Sequence, residues 1–365
     1  MSDPETDRAH MAHALRLAAR GLGRCWPNPA VGCVIVKDGI VRGRGFTQPG
    51  GRPHAETMAL AQAGAAARGA TAYVSLEPCA HHGKTPPCAA ALIAAGVARV
   101  VSALTDPDPR VSGRGHAMLG AAGIAVTENC LGPEAAAANA GFLKRVTRGL
   151  PFVTLKLATT LDGRIATASG ESRWITGPGS RRAVHALRLS HDAVMVGSGT
   201  ARADDPDLTV RDMGAAAQPV RIVLDSRLGH ATDSRLGRTA GQSPVWLVHT
   251  TAAPAHRRAA WAATGATLIE AASADDHLCP TAALRALAER GLTRILCEGG
   301  GTLSAALIRA GLVDDLALFS AGALIGADGQ PSLGALGLAA LADAPRLTLG
   351  DIRRIGADSF SLWSF

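Results

Sequence analysis

Three widely separated residues, His54, Cys79 and Cys88, restrict the folds open to this chain more than any other feature of it. One imidazole and two thiolates suit a tetrahedral Zn²⁺, but only if folding brings all three within about 2.0–2.3 Å of one point. Three protein ligands leave the fourth position open for water, whereas structural zinc sites are closed by four. Glu56 lies two residues from His54, so it can reach that water without being a ligand and can carry protons for a hydrolytic step. Two blander readings compete. Cys88 alone is also what a small buried hydrophobe looks like, and a purely structural zinc would need His81 or His82 as a fourth ligand and an accidental Glu56.

The order His-x-Glu, then Pro-Cys, then Cys is the signature of zinc nucleobase deaminases. The chemistry it implies is hydrolytic removal of an exocyclic amine from a pyrimidine- or purine-like ring. One detail departs from the common pattern, since Cys79 and Cys88 are separated by Ala-His-His-Gly-Lys-Thr-Pro-Pro where two residues are usual.

At 365 residues the chain exceeds one typical domain, and two are expected. Aromatic residues make up only 3%, too few for a surface that stacks exposed bases, which argues against a nucleic-acid reader. The net charge of +7 rests on scattered arginines without long basic runs, and so favours a small phosphorylated substrate. Seven cysteines, an odd number without framework spacing, argue against a secreted disulfide scaffold. The polar, acidic start is unlike a signal peptide, and no apolar run reaches the roughly 18–20 residues of a membrane helix. A cytoplasmic protein with no membrane partner is expected.

In the first half, helices are expected over 7–21, 54–66, 88–95, 114–122 and 133–147. Strands are expected over 31–36, 40–46, 72–76, 99–104 and 124–127, with Asp38-Gly39 as a hairpin turn. His54 and Glu56 then fall at a helix start, where backbone N–H groups and the positive dipole end face the site. Arg148-Gly149-Leu150-Pro151 reads as a breaker, dividing the chain into 1–148 and 149–365. Beyond it, strands at 152–158, 193–197, 220–225, 245–249, 266–269, 294–297 and 316–321 are interleaved with helices at 178–190, 253–263 and 280–290 and one from about 302. The tail reads as a β-hairpin. Both halves are layered α/β patterns.

No Rossmann glycine motif follows a strand with its acidic partner; Gly197-Ser198-Gly199-Thr200-Ala201-Arg202 has an arginine at the third glycine position. Glu298-Gly299-Gly300-Gly301-Thr302 joins a buried strand to a helix start, where close backbone approach and the helix dipole favour a phosphate; an ordinary tight turn is the alternative. Lys156, at a strand centre, is costly to bury unpaired and points to a pocket.

The block Pro27-Asn28-Pro29-Ala30-Val31-Gly32-Cys33, together with His54-Ala55-Glu56 and 77–88, resembles the deaminase half of the bifunctional riboflavin biosynthesis enzymes. The stretches 156–164, 169–176, 204–211 and 298–306 resemble their reductase half, so the likeness covers nearly the whole chain. It implies a cytidine-deaminase-like three-layer domain followed by a dihydrofolate-reductase-like domain. The implied substrate is a phosphoribosylated diaminopyrimidine, deaminated with one zinc per chain and then reduced in its ribosyl group with NADPH. On the deaminase side, Glu56 is the catalytic residue, His54, Cys79 and Cys88 hold the metal, and Asn28, His81 and Lys84 surround the substrate. The resemblance places NADPH against Ala158, Trp174, Thr200, Asp204, Ser226, Gly300, Gly301, Thr302, Leu303, Ser304, Ala305 and Ala306. It places the reductase substrate against Ser172, Arg188, Leu208, Arg211 and Glu298, and Lys156 joins them from its strand position. Arg188 and Arg211 offer fork-shaped donors to a phosphate, Glu298 can accept from sugar hydroxyls, and Lys156 and Asp204 are the candidate proton donors. Asp108 stands where the family has asparagine. A homo-oligomer is compatible with this pattern. The rival is a nucleobase or tRNA deaminase carrying an unrelated second domain.

Overall fold

The structure is a computed structural model and describes residues 3–81, 86–109, 111–214, 217–274 and 277–365. The chain divides into two compact units between Gly149 and Leu150.

In the first unit, α1 (Pro4–Ala18) leads to the hairpin β1 (Gly32–Lys37) and β2 (Ile40–Phe46), then α2 (Ala55–Ala63), β3 (Thr71–Val74) and α3 (Cys88–Ala95). β4 (Arg99–Ser102), α4 (Arg114–Ala121), β5 (Ala125–Thr127), α5 (Gly132–Ala138) and α6 (Ala140–Arg148) complete it. The sheet order is β2-β1-β3-β4-β5, antiparallel at the hairpin edge and parallel from β3 to β5. Successive side chains on a strand point to opposite faces, and here both faces are apolar. Cys33, Ile35, Ala72, Val74 and Val100 cluster with Ala55, Ala59, Ala89, Leu92 and Leu119, whereas Val34, Val36, Tyr73 and Val101 cluster with Met11, Ala14 and Ala135. That makes three layers.

α2 sits unusually low on the sheet. A Cβ at Gly45 would lie 2.1 Å from the Ala55 carbonyl oxygen, and one at Gly43 would lie 2.1 Å from that of Ala59. Glycine on the strand and alanine every fourth residue on the helix let the backbones touch. The helix expected over 133–147 is broken at Asn139, whose side-chain oxygen accepts the buried Ala30 N–H at 3.1 Å.

The second unit carries a nine-stranded sheet ordered β11-β10-β9-β8-β14-β6-β15-β18-β17. Its strands are β6 (Phe152–Thr160), β8 (Ala193–Gly197), β9 (Val220–Leu224), β10 (Val245–His249), β11 (Thr267–Glu270), β14 (Arg294–Cys297) and β15 (Asp315–Ala321), followed by the terminal hairpin β17 (Thr348–Ile355) and β18 (Asp358–Ser364). β7 (Arg164–Ala166) pairs with β16 (Gln330–Pro331), and β12 (Ser273–Ala274) with β13 (His277–Leu278), as short ribbons. Pairing is parallel from β11 to β15 and antiparallel through β18 and β17. The helices are α7 (Pro178–Leu189), α8 (Ser198–Asp204), α9 (Arg235–Arg238), α10 (Ala255–Ala263), α11 (Pro280–Glu289) and α12 (Gly301–Arg309). The chain steps outward from β6 through β8 to β11, then returns to insert β14 between β8 and β6. Such a reversal opens a crevice at the carboxyl ends of the strands.

We expect Gly45→Ala to lift the start of α2 and to lower unfolding stability by about 1–3 kcal/mol, as overpacking does, with loss of any metal held by His54. Gly120→Ala, which meets nothing within 4 Å, is the control and should not destabilise. Denaturant unfolding and metal content of both variants check this.

Candidate active sites

Strand β3 ends at Val74, and the chain beyond it carries Cys79 to the start of α2. His54 occupies the position just before that helix, and Cys88 is the first residue of α3. The His54 Nδ1 lies 3.3 Å from the Cys88 Sγ and 3.7 Å from the Cys79 Sγ, and the Cys88 N–H donates to the Cys79 Sγ at 3.3 Å. All three ligand atoms lie within 4.8 Å of one another. A tetrahedral zinc with bonds of about 2.05 Å to nitrogen and 2.3 Å to sulfur separates those atoms by about 3.5 Å. The three residues therefore fit the ion.

Their electrostatics agree with that use. The Cys79 thiol is held down to about 4, first by its hydrogen bond with the Cys88 thiol, while that same bond and then burial push Cys88 far up. The two sulfurs share one proton, which metal binding must displace. Glu56 is buried in the first turn of α2. Burial first, and the Cys79 charge second, raise its carboxyl above the ordinary range, which suits a group that must take up and release a proton.

Glu77 was legible only as a neighbour of the Pro-Cys pair. It is buried, and its carboxylate accepts the N–H groups of Asp106 at 3.1 Å, Gly113 at 2.9 Å and Gly115 at 2.8 Å. A Cβ on Gly115 would lie 2.0 Å from the Pro78 carbonyl oxygen. The segment after β4 is thereby clamped behind the cysteine loop. Asn28 packs on Gly51, whose φ of +83° and absent Cβ admit the amide; this puts Asn28 beside the segment that leads into His54. His81 is half-buried, and its Nδ1 has no hydrogen-bond partner among the described residues. Lys84 and His82 lie outside the described residues.

In the second unit a cavity of about 1480 Å³ opens at the carboxyl ends of β6, β8, β9 and β14. Of the positions expected at the cofactor, Ala158, Trp174, Thr200, Asp204, Ser226, Gly300, Gly301, Thr302, Leu303 and Ala306 line it. Ser304 and Ala305 are buried away from it, with the Ser304 hydroxyl donating to the Gly300 carbonyl at 3.1 Å. Both α8 and α12 begin at this cavity. The Gly300 N–H already donates to the Thr200 Oγ1 at 3.0 Å, so the amides left for an anion are those of the first turn of α12.

The expected substrate-side residues Lys156, Ser172, Arg188, Leu208, Arg211 and Glu298 also line the cavity. Two of them are engaged with each other. Arg188 grips Glu298 through Nε at 2.6 Å and Nη2 at 3.0 Å, and its Nη1 donates to the Thr209 carbonyl at 2.8 Å. Arg188 thus commits three of its five N–H donors within the protein and ties α7 to the segment carrying Leu208. The Lys156 Nζ stands 3.9 Å from the same carboxylate. Burial alone would raise the Glu298 carboxyl, but Arg188 and Lys156 hold it down to about 2. Burial lowers Lys156, with Glu298 opposing. Leu208 holds a φ of +54°, a left-handed backbone that a leucine rarely adopts.

The family described as the cytidine and deoxycytidylate deaminase zinc-binding region matches residues 4–104, and the RibD C-terminal domain matches residues 151–360. The riboflavin biosynthesis protein RibD of Escherichia coli (strain K12) is 45% identical over 364 residues, covering 96% of this chain and 97% of that protein. RibD of Haemophilus influenzae is 44% identical, covering 96% and 95%. Among solved structures, Acinetobacter baumannii RibD in form 2 superposes with a TM-score of 0.89 at 38% identity, covering 100% and 99%. The diaminohydroxyphosphoribosylaminopyrimidine deaminase/5-amino-6-(5-phosphoribosylamino)uracil reductase of Thermotoga maritima gives 0.86 at 33%, covering 99% of each chain.

Two outcomes follow from the geometry. Cys88→Ala should abolish stoichiometric zinc, read by metal analysis; full occupancy in that variant would remove Cys88 from the ligand set. Glu298→Gln should destabilise the second unit by about 3–5 kcal/mol at neutral pH, because it leaves buried cations without their partner. In the unaltered protein the Glu298 contribution is complete above the unfolded value of about 4.3 and is lost as pH falls through about 2. Stability measured against pH across that window should therefore fall less steeply in the variant.

Proposed function

The chain belongs to the RibD family of bifunctional riboflavin biosynthesis proteins, a zinc-binding deaminase joined to an NADPH-dependent reductase, and we propose from that premise which compounds it converts and which residues do the work. The first substrate is 2,5-diamino-6-(5-phosphoribosylamino)pyrimidin-4(3H)-one, deaminated to 5-amino-6-(5-phosphoribosylamino)uracil. The second step reduces the ribosyl group to give 5-amino-6-(5-phosphoribitylamino)uracil. The observation that carries this reading is the convergence of His54, Cys79 and Cys88 with the buried carboxyl of Glu56 in one unit, while the other unit opens a cavity at the carboxyl ends of its parallel strands. The match of residues 151–360 to the RibD C-terminal domain disposes of an unrelated appended domain.

Zinc, when bound by His54, Cys79 and Cys88, supplies the Lewis acidity that makes water nucleophilic near neutral pH. Glu56 takes the proton from the attacking water and returns it to the departing amine. Asn28, His81 and Lys84 orient the pyrimidine and its phosphate. In the reductase, NADPH when bound would supply the hydride for C1′ of the ring-opened sugar. The first turn of α12 would hold the cofactor phosphates, and the Lys156–Glu298–Arg188 cluster would form the polar floor beneath the sugar. Lys156 and Asp204 are the candidate donors of the accompanying proton. The enzyme is read as cytoplasmic; among the described residues no helix is long and apolar enough to cross a membrane.

Incubation with the diaminopyrimidine, with and without NADPH, followed by mass spectrometry tests the assignment. The deaminated compound should accumulate alone and be carried to the ribityl product when NADPH is present. Glu56→Gln should retain zinc and lose deamination by roughly two orders of magnitude or more, the scale of general acid–base catalysis, yet still reduce deaminated intermediate supplied to it. A folded Glu56→Gln protein lacking both activities would overturn independent sites.

A further inference from the structure

Beyond β15 the chain runs as a strap, 322–335, whose only regular piece is β16. Gln330, Pro331, Ser332 and Gly334 of this strap belong to the wall of the large cavity, together with Gly301 at the start of α12. The strap is tied down along its length. At its beginning the Asp162 carboxylate accepts the Ile325 N–H at 3.2 Å and the Gly326 N–H at 2.7 Å, and it also takes the Thr160 hydroxyl at 2.5 Å. In the middle β16 pairs with β7, and the Ser332 N–H donates to the Gly163 carbonyl at 3.1 Å. At its end the Gly334 N–H donates to the Gly301 carbonyl at 2.9 Å, and the Arg309 Nη1 donates to the Ala335 carbonyl at 2.6 Å.

The strap lies directly on its supports. A Cβ on Gly329 would lie 2.6 Å from the Ile325 Cγ2 and 2.9 Å from the Arg164 Cγ, and one on Gly301 would lie 3.0 Å from the Pro331 carbonyl oxygen. The turn that holds Asp162 and the first turn of α12 are thus joined by one piece of backbone. Asp162 itself is exposed and is no part of the cavity wall. The Thr160 hydroxyl, followed by the Gly326 N–H, holds its carboxyl below the usual carboxylate range, so at neutral pH it is a pure acceptor. Two of its three donors come from backbone more than 160 positions away in the chain.

We propose that Asp162 is a positioning residue for the nicotinamide cofactor, seating the 322–335 strap against β7 and thereby fixing the start of α12 and the cavity wall beside it. The proposal rests on the reductase reading given above. A ligand that binds only molecules with the strap seated has its apparent affinity reduced by the seated fraction. Removing the Asp162 bonds lowers that fraction without altering an atom of the cavity wall. Among the described residues Arg188, Arg211 and Glu298 share no hydrogen bond with the strap, so the effect falls on the cofactor and spares the intermediate.

The test is steady-state reduction of the deaminated intermediate by the full chain, with each reactant titrated at saturation of the other, beside a direct NADPH binding titration. Asp162→Ala should raise both KM and Kd for NADPH about tenfold, as a fall of the seated fraction to about one tenth implies, while kcat and the KM for the intermediate move less than about twofold. Asp162→Asn, whose amide oxygen still accepts from Gly326, should recover part of the loss. Gly329→Ala, which pushes the strap off β7 from a buried position outside the cavity wall, should reproduce it. Asp328→Asn, which removes a charge from an exposed strap residue, is the control and should match wild type. Unchanged NADPH constants in Asp162→Ala overturn the proposal. So does a rise in both KM values, or a fall in kcat alone, which is what a merely loosened fold gives. Should that variant fail to fold, Asp162→Asn and Gly329→Ala decide in the same way. A wild-type enzyme that neither binds nor oxidises NADPH, in contrast, refutes the reductase reading itself.

Discussion

Atoms of the strand β2 backbone and the helix α2 backbone come so close that a methyl group at Gly45 would meet the Ala55 carbonyl oxygen at 2.1 Å and the Ala59 nitrogen at 2.8 Å. That contact decides where the first turn of α2 lies, and with it His54 and Glu56. The two cysteines come from the loop after β3 and the start of α3, held from behind by the Glu77 carboxylate and the close packing of Gly115 on Pro78. A zinc site tolerates ligand errors of only about 0.2 Å. The absence of two Cβ atoms on β2 is therefore as much a part of the site as the ligands.

The second unit solves its placement problem by topology. Inserting β14 between β8 and β6 sets the starts of α8 and α12 side by side at the strand ends, and the Gly300 N–H bonds across to Thr200. Glycine at 300 thus serves a contact between two helix starts. On the other side of the same crevice, the Glu298 carboxylate is ionised and buried because Arg188 and Lys156 surround it. A buried ion cluster is a poor source of net stability, but two cations locked on one carboxylate fix this wall of the cavity.

The metal centre was legible because its chemistry fixes residue types and order: His54, Glu56, Pro78, Cys79 and Cys88 carry the pattern along the chain. Alternating apolar strands were legible for the same local reason, and Val34 and Ile35 do face opposite layers. What the sequence withheld is non-local. Arg188 and Glu298 are 110 positions apart, and nothing in either segment marks them as partners, so both were read as addressing the substrate separately. The 133–147 helix pattern was uninterrupted to the eye because Asn139 breaks it for the sake of Ala30, 109 residues away. Ser304 and Ala305 fall within a cofactor stretch, yet a helix turns some of any consecutive run inward, and these two are buried.

Helix α7 is itself positioned from the far end of the unit. The Asp358 carboxylate, buried at the start of β18, accepts the Gly177 N–H at 2.7 Å and the Ser180 hydroxyl. An acceptor there satisfies donors that a helix start otherwise leaves orphaned, and its charge is stabilised by the helix dipole. Ile355, at the end of β17, reaches within 3.0 Å of the point a Cβ on Gly179 would occupy. The terminal hairpin therefore pins the first turn of α7, and with it the orientation of Arg181 and His185. The opposite end of α7 is pinned by Arg188 through Glu298 and Thr209. A helix fixed at both ends holds its basic face at a set distance from the strand ends that line the cavity.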